Sequence, residues 1–191
     1  FGENYSNDDN ECNKISEIVV DALNDECILF LGPETSNEIL ITHLITKKKN
    51  MLVFTSNIKH AANLQNQINH DIYLVSGKID ANSGTVSGFF SNKMLKNIFF
   101  DTAIFWCESI DVNKGIVFQS DLETQLLEYV AKNCQKIIII VKNKEKPKSQ
   151  SGSIYPFERI DSIYSTDQFE PQIIEDLNSK SINVISLENI N

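Results

Sequence analysis

The chain has 191 residues, a net charge of −9 and 41% hydrophobic residues, which suits one folded domain with or without a short arm. The acidic balance argues against nucleic-acid binding by this chain, because such binding depends on neutralising phosphates with Lys and Arg. No run of about 18 apolar residues is present, so the sequence predicts no membrane span.

The start of the chain and its cysteines indicate where the protein works. Residue 1 is Phe, and the polar, acidic residues after it resemble neither a signal peptide nor a transit peptide. We therefore expect a fragment of a longer protein, with residues 1–13 as a linker or arm and 14–191 as one domain. The four cysteines form no CxxC pair, which favours reduced thiols of a cytoplasmic protein over a disulfide or zinc site.

From residue 15 onward, segments with helical spacing alternate with short apolar runs. The spacing predicts helices near 15–23, 39–47, 58–68, 89–97, 120–133 and 171–180. The apolar runs predict strands near 27–31, 51–54, 72–75, 102–106, 136–141, 160–164 and 182–185, with two short extended pieces between 109 and 118. Residues 142–153 are polar and rich in lysine, which is typical of a mobile loop. This order predicts a three-layer α/β domain with a mostly parallel sheet of six or seven strands.

Ligands of such sheets bind in the loops at the carboxyl ends of the strands. These loops are rich here in glycine, hydroxyl and lysine side chains, which suit a phosphate or a carboxylate. The candidate ligand-binding residues are Gly32, Thr35, Ser36, Thr55, Ser56, Gly77, Lys78, Asp80, Ser83, Gly84, Gly88 and Glu123. Neither a P-loop nor a GxGxxG motif is present, and we predict no catalytic residue, metal or cofactor.

Each candidate loop also has a purely structural interpretation. The Gly32-Pro33 pair suits an ordinary turn, and the 55–57 segment suits a helix N-cap. The 83–88 loop suits a tight crossover, and Glu123 at a helix start suits the helix dipole. Both interpretations stay open for every loop at this point.

A collinear series of short motifs runs from about residue 26 to residue 185. The clearest is Ser76-Gly77-Lys78-Ile79-Asp80, followed by Ser83-Gly84 and Gly88. The others lie at 30–35, 53–56, 101–105, 109–115 and 157–167. In this order the motifs resemble the C-terminal effector domain of DeoR-family bacterial transcriptional regulators.

The resemblance implies the fold shared by ribose-5-phosphate isomerase, glucosamine-6-phosphate deaminase and CoA-transferase-type domains. It implies a pocket for a phosphorylated sugar or a similar small anionic metabolite. It further implies a homo-oligomer, and a DNA-binding winged helix-turn-helix upstream of residue 1.

Several positions depart from the family pattern. Phe30 stands where the family has Asp, and Trp106-Cys107-Glu108-Ser109 is bulkier and more acidic than the family's turn. Pro33 and Glu34 replace hydroxyl residues, so the turn loses an N–H donor and gains a negative charge that would repel phosphate unless Glu34 points away. Leu127 stands where the family has a lysine, four residues after Glu123. The pocket therefore takes a phosphate despite these changes, takes a different ligand, or has lost its ligand.

Three functions compete on these grounds. The first is effector sensing and oligomerisation, with the Phe89-Phe90 or Phe99-Phe100 pair at a subunit contact or in the core. The second is a sugar-phosphate isomerase or deaminase using the carboxylates Asp80, Glu108, Asp121 or Glu123. The third is an assembly scaffold with a degenerate pocket. We predict the first, and therefore a protein that is not an enzyme.

Overall fold

The computed structural model describes residues 7–65, 69–141 and 152–187. The helices are α1 Asn7–Asp21, α2 Asn37–Lys47, α3 Ile58–Leu64, α4 Phe89–Leu95, α5 Asp121–Ala131 and α6 Pro171–Ser179. The first six strands are β1 Ile28–Leu31, β2 Met51–Thr55, β3 His70–Leu74, β4 Lys78–Ile79, β5 Val86–Ser87 and β6 Phe100–Cys107. The other strands are β7 Ser109–Asp111, β8 Gly115–Phe118, β9 Cys134–Val141, β10 Ser153–Tyr155, β11 Ser162–Ser165 and β12 Asn183–Ser186.

The central sheet has seven strands in the order β12-β11-β9-β6-β1-β2-β3, and every neighbouring pair is parallel. Its inner strands are almost continuous apolar runs because both faces are covered. Side chains of β1 alternate between two cores: Phe30 packs with α5 and α6 residues, whereas Leu29 and Leu31 pack with α1 and α2 residues. The predicted three-layer α/β architecture is confirmed.

The strand order places a topological switch point beside β1. From β1 the chain builds β2 and β3 on one side, and the later strands β6, β9, β11 and β12 lie on the other. Loops leaving the carboxyl ends of β1 and β6 therefore run to opposite faces and leave a crevice between them, where ligands of open α/β sheets bind.

Several local predictions need correction. The predicted arm is helical from Asn7 onward, and Cys12 within it is 1% exposed, because its helical spacing to Ile15 extends the apolar face of α1. The 77–88 loop contains the β4–β5 hairpin, and β10 pairs with β8. Most of the predicted loop over 142–153 lies outside the described residues. All four cysteines are buried and none forms a disulfide, and no helix of the described residues is long and apolar enough to cross a membrane.

Candidate functional site

The turn between β1 and α2 brings a carboxyl group close to the sheet. The Glu34 side chain folds back over Gly32, so that a Cβ at Gly32 would collide with Glu34 Oε2 and lie 2.8 Å from Cδ1 of Phe105. The Gly32 amide also continues the sheet by donating to the carbonyl of Ile104 at 2.8 Å. Glycine is required here by this close approach of a carboxyl group and an aromatic ring.

A buried amide fixes this turn to the sheet. Asn37 Nδ2 donates to the Gly32 carbonyl at 2.9 Å and to Glu34 Oε2 at 3.3 Å. Asn37 Oδ1 accepts from Trp106 Nε1 at 3.1 Å, which connects α2 to the end of β6. Glu34 Oε1 is buried and has no hydrogen-bond partner among the described residues.

Three carboxyl groups, Glu34, Glu108 and Glu123, lie around the carboxyl end of β6, and we call them the acidic cluster. Burial raises the pKa of Glu34 well above its usual value, and the negative charge of Glu123 raises it further. Burial also raises the pKa of Glu123, with a smaller contribution from Glu108. The Cys107 thiol between them has its pKa raised by burial and by all three carboxylates. Neutral forms of these groups are therefore favoured.

The β2–α3 loop is tied to the β1–α2 turn. Asn57 Nδ2 donates to the Pro33 carbonyl at 2.7 Å, and Asn57 Oδ1 accepts from the Lys59 amide at 2.9 Å as the N-cap of α3. The Thr55 hydroxyl accepts from the Asn57 amide at 3.1 Å and lies 3.3 Å from Nδ1 of His60. Burial lowers the pKa of His60 to about 4, so this ring is neutral at pH 7. The predicted capping role of this segment is confirmed.

The glycine-rich loop at 76–88 uses its polar groups internally. Asp80 Oδ1 accepts from the Asn82 amide at 3.2 Å and from both the amide and the hydroxyl of Ser83 at 2.8 Å. Ser83 Oγ in turn accepts from the Thr85 amide at 3.2 Å. These hydrogen bonds lower the pKa of Asp80, and the charge of exposed Lys78 adds to the effect. Asp80 and Ser83 are therefore engaged within the loop itself.

The same loop docks against the end of β2. The Ile58 amide donates to the Gly84 carbonyl at 3.1 Å, and the Val86 amide donates to the Ser56 carbonyl at 2.6 Å. Gly77 has a φ of 153°, and a Cβ there would collide with the carbonyl oxygen of Ser87. These glycines serve the hairpin's own geometry.

The N-terminus of α5 carries a complete capping box. Ser120 Oγ accepts from the Glu123 amide at 3.4 Å, and Glu123 Oε2 accepts from the Ser120 amide at 3.3 Å. Glu123 thus has a structural role at the start of α5, as a capping residue, and its charge also acts on Glu34. One carboxyl group therefore caps a helix and belongs to the acidic cluster.

Buried side-chain oxygens without partners gather at the strand ends that flank the switch point. Five of the seven such oxygens in the described residues lie there: Glu34 Oε1 after β1, Ser56 Oγ after β2, Glu108 Oε2 and Ser109 Oγ after β6, and Thr124 Oγ1 in the first turn of α5. The other two, Ser16 Oγ in α1 and Ser186 Oγ at the end of β12, lie elsewhere. Buried polar groups in proteins are nearly always hydrogen-bonded, so a group of unpaired oxygens indicates where a ligand or ordered water completes the network.

The predicted site residues thus divide into two groups. Gly32 follows β1, Thr55 and Ser56 lie at the carboxyl end of the neighbouring β2, and Glu123 lies in the first turn of α5. Thr35 is exposed, and Ser36 precedes α2 without capping it through its side chain. Gly77, Lys78, Asp80, Ser83, Gly84 and Gly88 lie in the separate hairpin.

The predicted set omits Glu34, Asn37, Glu108 and Trp106. Glu34 and Glu108 each carry a carboxyl group immediately after a buried strand, which is a signal visible in the sequence. In the described residues, no group of three or more His, Cys, Asp or Glu side chains is placed to hold a metal ion.

A family described as "DeoR C terminal sensor domain" matches residues 8–168. The chain belongs to this family.

Two curated relatives are transcriptional regulators by name. The HTH-type transcriptional regulator GolR of Listeria innocua is 23% identical over 62% of this chain and 46% of its own length. A putative aga operon transcriptional repressor of Escherichia coli O157:H7 is 21% identical over 76% of this chain and 54% of its own length. The DeoR-type sensor domain described here thus spans about half the length of these relatives.

Two solved structures are similar to this chain at low sequence identity. The β subunit of eIF2B from Chaetomium thermophilum has a TM-score of 0.53 and 13% identity, covering 81% of this chain and 49% of its own. Ribose 5-phosphate isomerase from Plasmodium falciparum has a TM-score of 0.49 and 14% identity, covering 69% of this chain and 50% of its own.

Proposed function

We propose that this DeoR-type sensor domain binds a small polyhydroxylated metabolite in the crevice between the carboxyl ends of β1 and β6. The observation that carries the proposal is the set of buried, unpartnered oxygens at this switch point. Sugar hydroxyls both donate and accept hydrogen bonds, so they suit a site lined by serine hydroxyls and carboxyl groups. A phosphorylated sugar is the ligand class that the resemblance implies.

We further propose that ligand binding controls DNA binding by a separate helix-turn-helix module of the same protein. One relative is named as an HTH-type regulator, and the chain covers less than half of it. A net charge of −9 makes this domain unsuited to contact DNA itself. The ligand must then bind one arrangement of the regulator more tightly than the other, because only differential affinity shifts the population.

Self-association belongs to the same proposal. Phe89, Phe90 and Phe99 are 74%, 66% and 61% exposed, whereas Phe100 is fully buried. The core interpretation of these pairs is therefore wrong for three of the four rings. The rings of Phe89 and Phe90 pack against each other, and exposed apolar patches are typical of contacts between proteins. A second copy of the chain in a symmetric pair is the partner that we propose.

Thermal unfolding in the presence of candidate ligands tests the binding proposal. The panel contains sugar phosphates, the parent sugars and polyols. A ligand that binds only the folded state stabilises it by about 2.7 kcal/mol at 100 times its dissociation constant. A shift that depends on concentration supports the sensor role, and an unchanged transition with every compound contradicts it. Turnover of a sugar phosphate by the same protein would instead favour the isomerase or deaminase alternative.

A further inference from the structure

We propose that the crevice between β1 and β6 receives a positively charged group of the effector, a primary amine, with the Glu34 carboxylate as its counterion. The inference rests on the proposed function, because it names the ligand chemistry of the same site. It departs from a phosphate ligand at this end of the sheet.

The first support is that the carboxyl groups of the acidic cluster repel one another when ionised and have no cationic partner among the ion pairs of the described residues. Glu34 is coupled to Glu123, and Glu123 is coupled to Glu108, with like charges raising each pKa. The ion pairs of the described residues involve other carboxylates: Glu17, Asp21, Asp111 and Glu128. A phosphate would add negative charge to this cluster, whereas a cation would compensate it.

The second support is the hydrogen-bonding capacity left over in the crevice. Glu34 Oε1 and Glu108 Oε2 are buried and unpartnered, as are the hydroxyls of Ser56 and Ser109, which are 0% and 3% exposed. An ionised carboxylate only accepts hydrogen bonds, and an ammonium group offers three donors. Phosphate oxygens accept from the serine hydroxyls, but they accept from a carboxyl group only while it keeps its proton.

The third support is the fixed position of the Glu34 carboxyl group. The bare Cα of Gly32 makes room for the carboxyl group, and Asn37 donates to Oε2. Asn37 is itself held by Trp106, so one oxygen is anchored and the other is left open. A counterion held in this way needs little reorganisation when a ligand arrives.

Metal binding is less suited to the same atoms. The described residues contain no group of three or more His, Cys, Asp or Glu side chains placed around one ion. Ca²⁺ takes six to eight oxygen ligands, and Mg²⁺ demands near-octahedral geometry. An ammonium group has three donors and needs only two or three acceptors.

Binding of the amine is coupled to a proton. The neutral Glu34 carboxylic acid loses its proton to solvent as the ammonium group binds, and a carboxylate–ammonium pair forms. Glu123 from α5 and Cys107 at the end of β6 interact with the Glu34 carboxyl group, Glu108 interacts with those two groups, and His60 from α3 lies near the Glu34 backbone carbonyl. Affinity should therefore rise with pH until the amine itself loses its proton.

Matched pairs of probes test the inference by calorimetry. Each pair differs only by an amine in place of a hydroxyl: glucosamine with glucose, galactosamine with galactose, and glucosamine 6-phosphate with glucose 6-phosphate. We expect the amine of at least one pair to bind about tenfold more tightly than its partner, as suits a charge-assisted contact. Titration in two buffers of different ionisation enthalpy should show release of a proton.

Two variants separate the counterion role from a general effect on charge. Glu34→Gln should remove both the preference for the amine and the proton release, and its unfolding transition without ligand shows whether it is folded. Glu38→Gln, which changes an exposed carboxylate on α2 outside the cluster, should retain both.

The outcomes distinguish this inference from the proposed function. Sugar phosphates that bind equally well with and without an amine would overturn the inference and leave the sensor role intact. A preference for the amine that persists in Glu34→Gln would also overturn it. An absence of binding by every probe would contradict both proposals.

Discussion

Two loops at the carboxyl edge of the sheet differ in how they use their polar atoms. The 76–88 hairpin holds three of the seven glycines of the chain, yet Asp80 and Ser83 are engaged with each other and with neighbouring amides. The β1–α2 turn has one glycine and a proline, yet it leaves a buried carboxylate oxygen of Glu34 without a partner.

The difference shows that composition alone does not locate a ligand site. Glycine, serine and lysine are suited to an anion, but the same residues also build a closed turn. An unpaired oxygen buried beside other carboxyl groups has no such structural explanation, because burial without a hydrogen bond is unfavourable. The β1–α2 turn is therefore the better candidate for effector contact.

Replacing one glycine by alanine in each loop should give the largest difference in stability between the two loops. In Gly32→Ala the new Cβ meets the Glu34 carboxyl group and the Phe105 ring, and we expect a loss of about 3 kcal/mol. In Gly84→Ala the nearest atom is 3.7 Å away, so only the φ of +71° is unfavourable, at about 1 kcal/mol. Urea unfolding measures both losses. Equal losses would show that Gly32 is not specially crowded.

The connection between α2 and β6 should be the next most sensitive feature. Trp106→Phe removes the donor that satisfies Oδ1 of Asn37, and Asn37 is fully buried. We expect a loss of about 2 kcal/mol, measured by circular dichroism during urea unfolding. Tyr73→Phe at a 41% exposed position is the control and should change stability little. If Trp106→Phe leaves the stability unchanged, Asn37 Oδ1 finds another donor.

The buried carboxyl group should be visible in the pH dependence of stability. The pKa of Glu34 is raised in the folded state, so wild-type stability falls as pH rises from about 4.5 through that raised pKa. Glu34→Gln lacks this contribution, and we expect it to be more stable than wild type by about 1 kcal/mol at pH 8.

At pH 4 the stability advantage of Glu34→Gln should vanish, because Glu34 is then protonated in both states. His60 acts in the opposite direction: its pKa of about 4 means that stability present above pH 6.5 is lost as pH falls through 4. The difference between the two proteins at each pH removes this background. A difference that does not change with pH would place the Glu34 carboxyl group in solvent.

The hairpin should tolerate the loss of one of its own contacts. Ser83→Ala removes a hydroxyl that donates to Asp80 and accepts from Thr85 on an exposed surface. We expect a loss of about 0.5 kcal/mol in urea unfolding and no change in ligand affinity. A large loss of affinity would restore the hairpin as part of the effector site.

The sheet was predictable from sequence because its strands are long apolar runs that need both faces buried. The predicted strand at 136–141 and the observed β9, Cys134–Val141, show how closely such runs mark a strand. The hairpin strands β4 and β5 have two residues each, too short for any periodicity. Likewise, β10 exists only through its pairing with the distant β8.

The chemistry of the crevice was only partly predictable. The sequence shows that Glu34 follows β1, but it does not show where the Glu34 carboxyl group lies. The answer depends on the absent Cβ of Gly32, on the amide of Asn37 and on the indole of Trp106, which meet only in the folded chain.

The most direct test uses Trp106, the single tryptophan of the chain, as a fluorescent reporter of the crevice. Its indole contacts Asn37, which in turn contacts Glu34. Ligands found in the thermal screen are titrated against the emission of the wild-type protein. We predict a saturable change in emission at the concentration that stabilises the fold. Stabilisation with an unchanged Trp106 emission would contradict a site between β1 and β6.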